Sequence, residues 1–266
     1  MKNLRIYGQP PYRVALVHGG PGAPGSIAPV ARELSKTMSI LEPLQTKVTI
    51  DGEVGEFKKV LEEKAEVPVI LVGHSWGAWL SYILAARYPE TVKKLILVGA
   101  GPFEAKYAAG ITSTRFNRLS ETEREETLRL IDIINGDTPG DRNEAMARYG
   151  DLMARADTYA PLSTEREPEP LPANEEINRK VWAQAEKLRE SGELLEMGRR
   201  IKCPVVAIHG DYDPHPAEGV NAPLSGVLKD FRFILLKKCG HEPWNEKYAR
   251  VQFFKILHDE ILNSEF

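Results

Sequence analysis

Three residues set far apart in a chain of 266 have the side chains that acyl transfer requires: Ser75, Asp213 and His241. A neutral serine hydroxyl is a weak nucleophile at physiological pH and needs a base to take its proton. An imidazole can do this, and a carboxylate can hold that ring in its productive tautomer and stabilise the imidazolium. Ser75 sits in Gly73-His74-Ser75-Trp76-Gly77, where the apolar run Val69-Ile70-Leu71-Val72 meets an apolar helical pattern. G-x-S-x-G at such a junction is the sequence of a sharp strand-to-helix turn. Crowding there excludes bulky side chains two positions before and after the serine, whose strained backbone pushes the hydroxyl out at the strand's carboxyl end. The plainer explanation is a glycine-flanked helix start with Ser75 as N-cap. Partners elsewhere in the chain decide between the two.

Among six histidines, His241 is the best base, because Gly240 opens its loop directly after the last apolar run. His18 and His74 lie in tight turns and are expected to brace them. His209 ends a buried run, His258 lies on the terminal helix, and His215 is fixed between Pro214 and Pro216 near the acid loop. Of the two acids after Val205–Ile208, Asp213 reaches further, whereas Asp211 is placed to brace its own turn. Glu242 adjoins the histidine and reads as a local anchor. The oxyanion formed in acyl transfer needs two N–H donors. Trp76 offers one as the residue after the nucleophile, and Gly20 the other, since missing side chains at Gly19-Gly20 let main chain approach a substrate. Neither a Walker-type nor a dinucleotide glycine pattern is present, and no spaced His/Cys/Asp cluster suggests a metal. No cofactor is expected.

Elements that bring these residues together follow from the apolar pattern. Val14–Val17, Val69–Val72, Leu95–Val98 and Val205–Ile208 are short unbroken apolar runs, as in strands buried on both faces. Ser39–Glu42 is a weaker strand and Phe231–Leu236 the last one. Helices are expected after Ser26 as cap to about Thr37, and over 53–64, 76–88 and 245–262. Alternation of this kind means an α/β fold with a mostly parallel sheet flanked by helices. Its loops of interest all follow strands, at the carboxyl edge where such sheets place ligands. From Phe103 the pattern changes to helices rich in Glu and Arg, over 121–135, 144–156 and 175–191, with a proline-rich linker at 164–172. Residues 1–102 and 200–266 therefore form the core, and 103–199 an inserted helical cap. With about ten residues before the first buried run, any leading hairpin is expected to be trimmed or absent.

A composition of 42% hydrophobic and 27% charged residues suits a globular protein, and a net charge of −3 offers no basic footprint for nucleic acid or membrane. Two cysteines, no apolar leader and no spanning run fit a cytoplasmic protein.

Taken in order, His18-Gly19-Gly20-Pro21-Gly22, Gly73-His74-Ser75-Trp76-Gly77, Gly210-Asp211-Tyr212-Asp213 and Gly240-His241 resemble the α/β-hydrolase superfamily. H-G-G-P-G with G-x-S-W-G further resembles its proline iminopeptidase branch, serine peptidases that release an N-terminal residue. The resemblance implies that Ser75 attacks, that Asp213 and His241 complete a triad, and that Gly20 and Trp76 donate to the oxyanion. It also implies that cap carboxylates, among Glu165, Glu167, Glu169, Glu175 and Glu176, hold the α-amino group of a short peptide. A solvated charged linker explains those glutamates as well. His18, Trp182, His215 and Trp244 are candidates to line the pocket. Carboxylesterase, amidase or carbon–carbon bond hydrolase activity on a small apolar substrate is the alternative, and a non-catalytic binder on the same fold a further one.

Overall fold

In the computed structural model, residues 3–162 and 171–263 are described. The strands are β1 (Leu4–Tyr7), β2 (Val14–Val17), β3 (Ile40–Pro43), β4 (Val69–His74), β5 (Val92–Val98), β6 (Val205–Gly210) and β7 (Phe231–Leu236). They form one sheet in the order β1-β3-β2-β4-β5-β6-β7, parallel except for β1, which runs antiparallel to β3. The helices are α1 (Ala28–Leu34), α2 (Ile50–Lys64), α3 (Trp76–Arg87), α4 (Ile111–Arg118), α5 (Glu121–Asn135), α6 (Arg142–Ala156), α7 (Glu175–Glu190), α8 (Glu193–Glu196), α9 (Glu218–Val227) and α10 (Arg250–Leu262). The α/β class, the mostly parallel sheet and the helical insertion are as the sequence predicts.

Alternate strand residues feed two cores, which is why the runs are apolar throughout. Val14, Leu16, Ile70, Val72, Ile96 and Val98 pack with α1 and α10. Ala15, Val17, Leu71, Leu95 and Leu97 pack with α2, α3 and α9 on the other face. Between β5 and β6 lies the insertion. Its own cluster is small, built on Leu119, Leu152, Met153 and Ala156. Ile177, Val181 and Ala185 of α7 instead join the second sheet-face core, so this helix is rooted in the body of the protein.

The segment before the first buried run is one strand and no hairpin, in line with the expected trimming: β1 pairs Leu4 with Pro43 through Tyr7 with Ile40 on β3 and does not neighbour β2, and its half-buried residues gave it no apolar signature. Two other features differ from the sequence reading. Ser26 does not cap α1, which starts at Ala28 with no side-chain cap. Its hydroxyl accepts instead from Gly19 N–H at 3.1 Å, so it shapes the glycine loop. Helix α9 was not foreseen, because Pro223 interrupts its pattern. Among the described residues, no helix is long and apolar enough to cross a membrane. Both cysteines are free.

Candidate active site

Strand β4 delivers Ser75 to the carboxyl edge through a turn that admits no bulk. A Cβ on Gly73 would strike the carbonyl of Gly77, and one on Gly77 the carbonyls of Val17 and His18. Ser75 has φ 53° and ψ −116°, a left-handed conformation that costs about 1–3 kcal/mol in a non-glycine residue. Its N–H donates to Val98 O at 3.0 Å, tying the turn to β5. His74 ties it to the histidine loop, as its Nε2–H donates to the carbonyl of His241 at 3.1 Å and the two rings lie 4.7 Å apart. Burial, then the neighbouring His241, hold His74 neutral by pushing its pKa well below the usual value. It is a brace, as its place in the turn suggests.

His241 and Asp213, 28 positions apart, meet through β6 and β7: Nδ1 of the ring is 2.7 Å from Oδ2 of the acid. The acid's other oxygen, Oδ1, accepts from the backbone N–H of His215 at 2.9 Å and from its Nδ1 at 2.8 Å. Burial would raise the pKa of Asp213, but His241, His215 and His209 around it hold it well below the ordinary carboxylate value. Burial likewise disfavours the His241 imidazolium, yet the charge and hydrogen bond of Asp213 outweigh this and raise its pKa. For His215 burial prevails and its pKa falls to about 4. At neutral pH the site thus holds one carboxylate and a neutral His215, and with His241 Nδ1–H on the acid, Nε2 is the ring nitrogen left for proton exchange. Asp211 accepts from Cys239 N–H at 3.3 Å and pairs with Lys237, bracing the neighbouring loop. Glu242 accepts from Asn245 and is a local anchor as expected. Ligand atoms of Asp213, His215 and His241 lie within 4.8 Å of one another, close enough for a metal. Both Nδ1 atoms already sit at hydrogen-bond length from the carboxylate, so this donor set is organised around protons.

Ser75, Gly20, Trp76, Trp182 and His215 all line one cavity of about 540 Å³ between the sheet edge and the insertion. Gly20 has φ +64° and its carbonyl accepts from Ala23 N–H at 2.9 Å, a turn that glycine allows. Trp182 stacks on Trp79 with ring centroids 5.9 Å apart and planes 2° from parallel. Two expected lining residues lie elsewhere. His18 is fully buried beneath the loop, its Nδ1–H donating to Gly19 O at 3.0 Å and its Nε2 accepting from Gln45 N–H at 3.3 Å. Trp244 is fully buried in the α1–α10 core, edge-on to His74. Its indole supports the site from behind.

The insertion grips both flanks of this cavity. On the glycine-loop side, Asn174 N–H donates to Gly22 O at 2.7 Å and Asn178 Nδ2 to Pro21 O at 3.0 Å. On the His241 side, the buried carboxylate of Glu246 accepts from Gly240 and Tyr159 N–H at 2.7 Å and from Ala160 N–H at 2.8 Å. Asp157 O accepts from His241 N–H at 2.9 Å, and Arg115 binds the Asp157 carboxylate with two nitrogens. No motif marked these residues. One signal existed for α7: Asn178, Trp182, Glu186 and Arg189 are spaced along a single helical face, and all line the cavity. As for the expected amine-binding carboxylates, Glu165, Glu167 and Glu169 lie outside the described residues. Glu175 pairs with Arg179 and Glu176 with Lys180, and neither lines the cavity.

Comparison with known proteins matches residues 12–247 to the family described as alpha/beta hydrolase fold. Lipase 1 of Psychrobacter immobilis is 24% identical over 260 residues, covering 92% of this chain and 75% of the lipase. The 2-hydroxy-6-oxononadienedioate/2-hydroxy-6-oxononatrienedioate hydrolase of Escherichia coli K12 is 28% identical over 181 residues, covering 59% of this chain and 62% of that enzyme. Proline iminopeptidase of Mycobacterium smegmatis, a solved structure, has a TM-score of 0.62 at 18% identity, covering 98% of this chain and 96% of that one. At that identity it shares the fold alone. With a family match over most of its length and a serine on a strained turn at the sheet edge, this chain belongs to the α/β-hydrolase family.

Proposed function

We propose that this protein is a serine hydrolase that cleaves carboxylic esters through an acyl-enzyme on Ser75. The observation that carries this reading is the 2.7 Å hydrogen bond from His241 Nδ1 to Asp213, with His74, next to the positive-φ Ser75, bonded to the His241 carbonyl at 3.1 Å. In the reaction, Ser75 Oγ adds to the ester carbon while its proton passes to His241 Nε2. The negative charge that builds on the carbonyl oxygen is met by the N–H groups of Gly20 and Trp76. Collapse breaks the carbon–oxygen bond, and the departing alcohol takes the proton from His241. Water then adds to the acyl-enzyme, giving its proton to His241, which returns it to Ser75 as the acid leaves. The insertion acts as the cap that shapes the pocket.

Ester cleavage is preferred to the aminopeptidase reading because the described cap carboxylates that were candidates for an α-amino group are paired with Arg179 and Lys180. Carbon–carbon bond hydrolysis with the same triad is the second reading, favoured by the 28% identity to the oxononadienedioate hydrolase. A fluorophosphonate is expected to label Ser75 in the native protein and not after Ser75→Ala. Short-chain p-nitrophenyl esters run beside amino-acyl anilides, with and without N-acetylation, separate the substrate classes. Absence of labelling in native protein overturns the serine mechanism. Turnover of unblocked anilides alone would restore the peptidase.

A further inference from the structure

Arg189 is the odd cation of the cavity. Its side chain is only 9% exposed and, among the described residues, its buried Nε has no hydrogen-bond partner and its one ion pair, to Glu186, is long at 3.7 Å. Glu186 itself is 45% exposed on its side chain, so it can turn to solvent. Arg115 in the same cavity is different. Its Nε and Nη2 are both bonded to the Asp157 carboxylate, so its charge is already answered. A buried guanidinium with an empty fork is unfavourable by itself and matches the planar, bidentate geometry of a carboxylate. Arg189 is also held in place: its guanidinium sits 5.6 Å over the ring of Trp79, which in turn stacks on Trp182. Burial weakens its hold on its proton, which a bound anion would restore.

Its position gives the recognised group a distance. Arg189 lies 5.6 Å over Trp79, and Trp79 follows Ser75 by one turn of α3, four residues or about 6 Å along the axis. Trp182, stacked on Trp79, adds an apolar wall to the cavity. We infer that Arg189 receives a carboxylate at the far end of the acyl group, so that the preferred substrates are esters of dicarboxylic acids bearing one free acid. The inference rests on the ester hydrolase reading for the identity of the acyl end, and on Arg189 alone for the anion.

The test compares the p-nitrophenyl half-ester of suberic acid, which carries a free carboxylate, with p-nitrophenyl octanoate. Native protein is expected to favour the half-ester in kcat/KM, and the succinate half-ester to lose that advantage through insufficient length. In Arg189→Met the ratio of half-ester to octanoate should fall about 10- to 100-fold, the worth of a charge-assisted hydrogen bond, with Arg189→Lys between. Glu186→Gln should raise the ratio by removing the competing carboxylate. Folding is checked by urea denaturation of each variant. An independent arm measures suberate binding to Ser75→Ala by calorimetry, with and without Arg189→Met. If Ser75 is labelled by fluorophosphonate but the ratio and the binding ignore Arg189, the anion site is overturned while the hydrolase stands. If suberate binds through Arg189 and Ser75 is not labelled, the site stands and the hydrolase falls.

Discussion

His215 gives Asp213 both its backbone N–H and its ring Nδ1–H, at 2.9 and 2.8 Å, so one oxygen of the acid is fully engaged by a residue two positions away. Only Oδ2 is left to face His241. Replacing His215 with Leu removes one charge-assisted hydrogen bond, worth about 1.5–3 kcal/mol. The less satisfied carboxylate should then attract the His241 proton more strongly. The expected outcome is a lower kcat and an acid limb of kcat/KM displaced to higher pH, read from pH–rate profiles of both proteins.

In the unmodified protein, activity requires neutral His241, whose pKa is raised above 6.5 by Asp213. As pH falls through that raised value the base is lost, so the acid limb should lie above pH 6.5. Asp213→Asn removes the charge responsible. It should lower kcat by about 10⁴, as expected when the ring loses its orienting acid, and move the limb down. A limb that stays in place would assign the titration to another group.

Glu53 accepts from Trp76 Nε1 at 3.2 Å, and burial drives its pKa from 4.5 to about 8. Between those values the folded state holds a proton that the unfolded chain has released. Stability from this group is therefore complete below pH 4.5 and lost as pH climbs to about 8, on the order of 5 kcal/mol. Glu53→Gln keeps the acceptor and deletes the titration. Urea midpoints should coincide near pH 5 and favour the variant at pH 9.

Glu246→Ala would strand the buried N–H groups of Gly240, Tyr159 and Ala160 together. At about 1–3 kcal/mol for each unsatisfied group, partly relieved by water, a loss of roughly 3 kcal/mol is expected in chemical denaturation. Because Gly240 precedes the base, kcat should also fall, by about tenfold if the misplacement matches one neutral hydrogen bond. Retention of full kcat in folded variant would separate loop position from rate.

Much of this was legible because buried parallel strands announce themselves as unbroken apolar runs, and glycines mark turns that steric crowding dictates. Ser75, Asp213 and His241 each follow such a run, so topology alone brought them to one edge. His18 and Trp244 show the limit. Both neighbour the site in sequence, but which side of the loop a ring takes depends on tertiary packing, and here each is fully buried away from the cavity. Strand β1 escaped notice because a half-buried edge strand carries no apolar signature. Arg189 and Glu246 escaped because a lone charged residue, on an insertion helix or in the loop after the base, looks like solvated surface until its neighbours are known.

The clasp between Asn174 and Gly22, with Asn178 on Pro21, makes the insertion that roofs the cavity also a support of the loop that carries Gly20. A Cβ on Gly22 would run into the Asn174 carbonyl, so the two surfaces fit only as a matched pair. The insertion is therefore not an interchangeable module. A graft from a relative that reshaped the cavity but lacked this fit would also slacken the glycine loop, so sequence change in the insertion and in the loop is bound together.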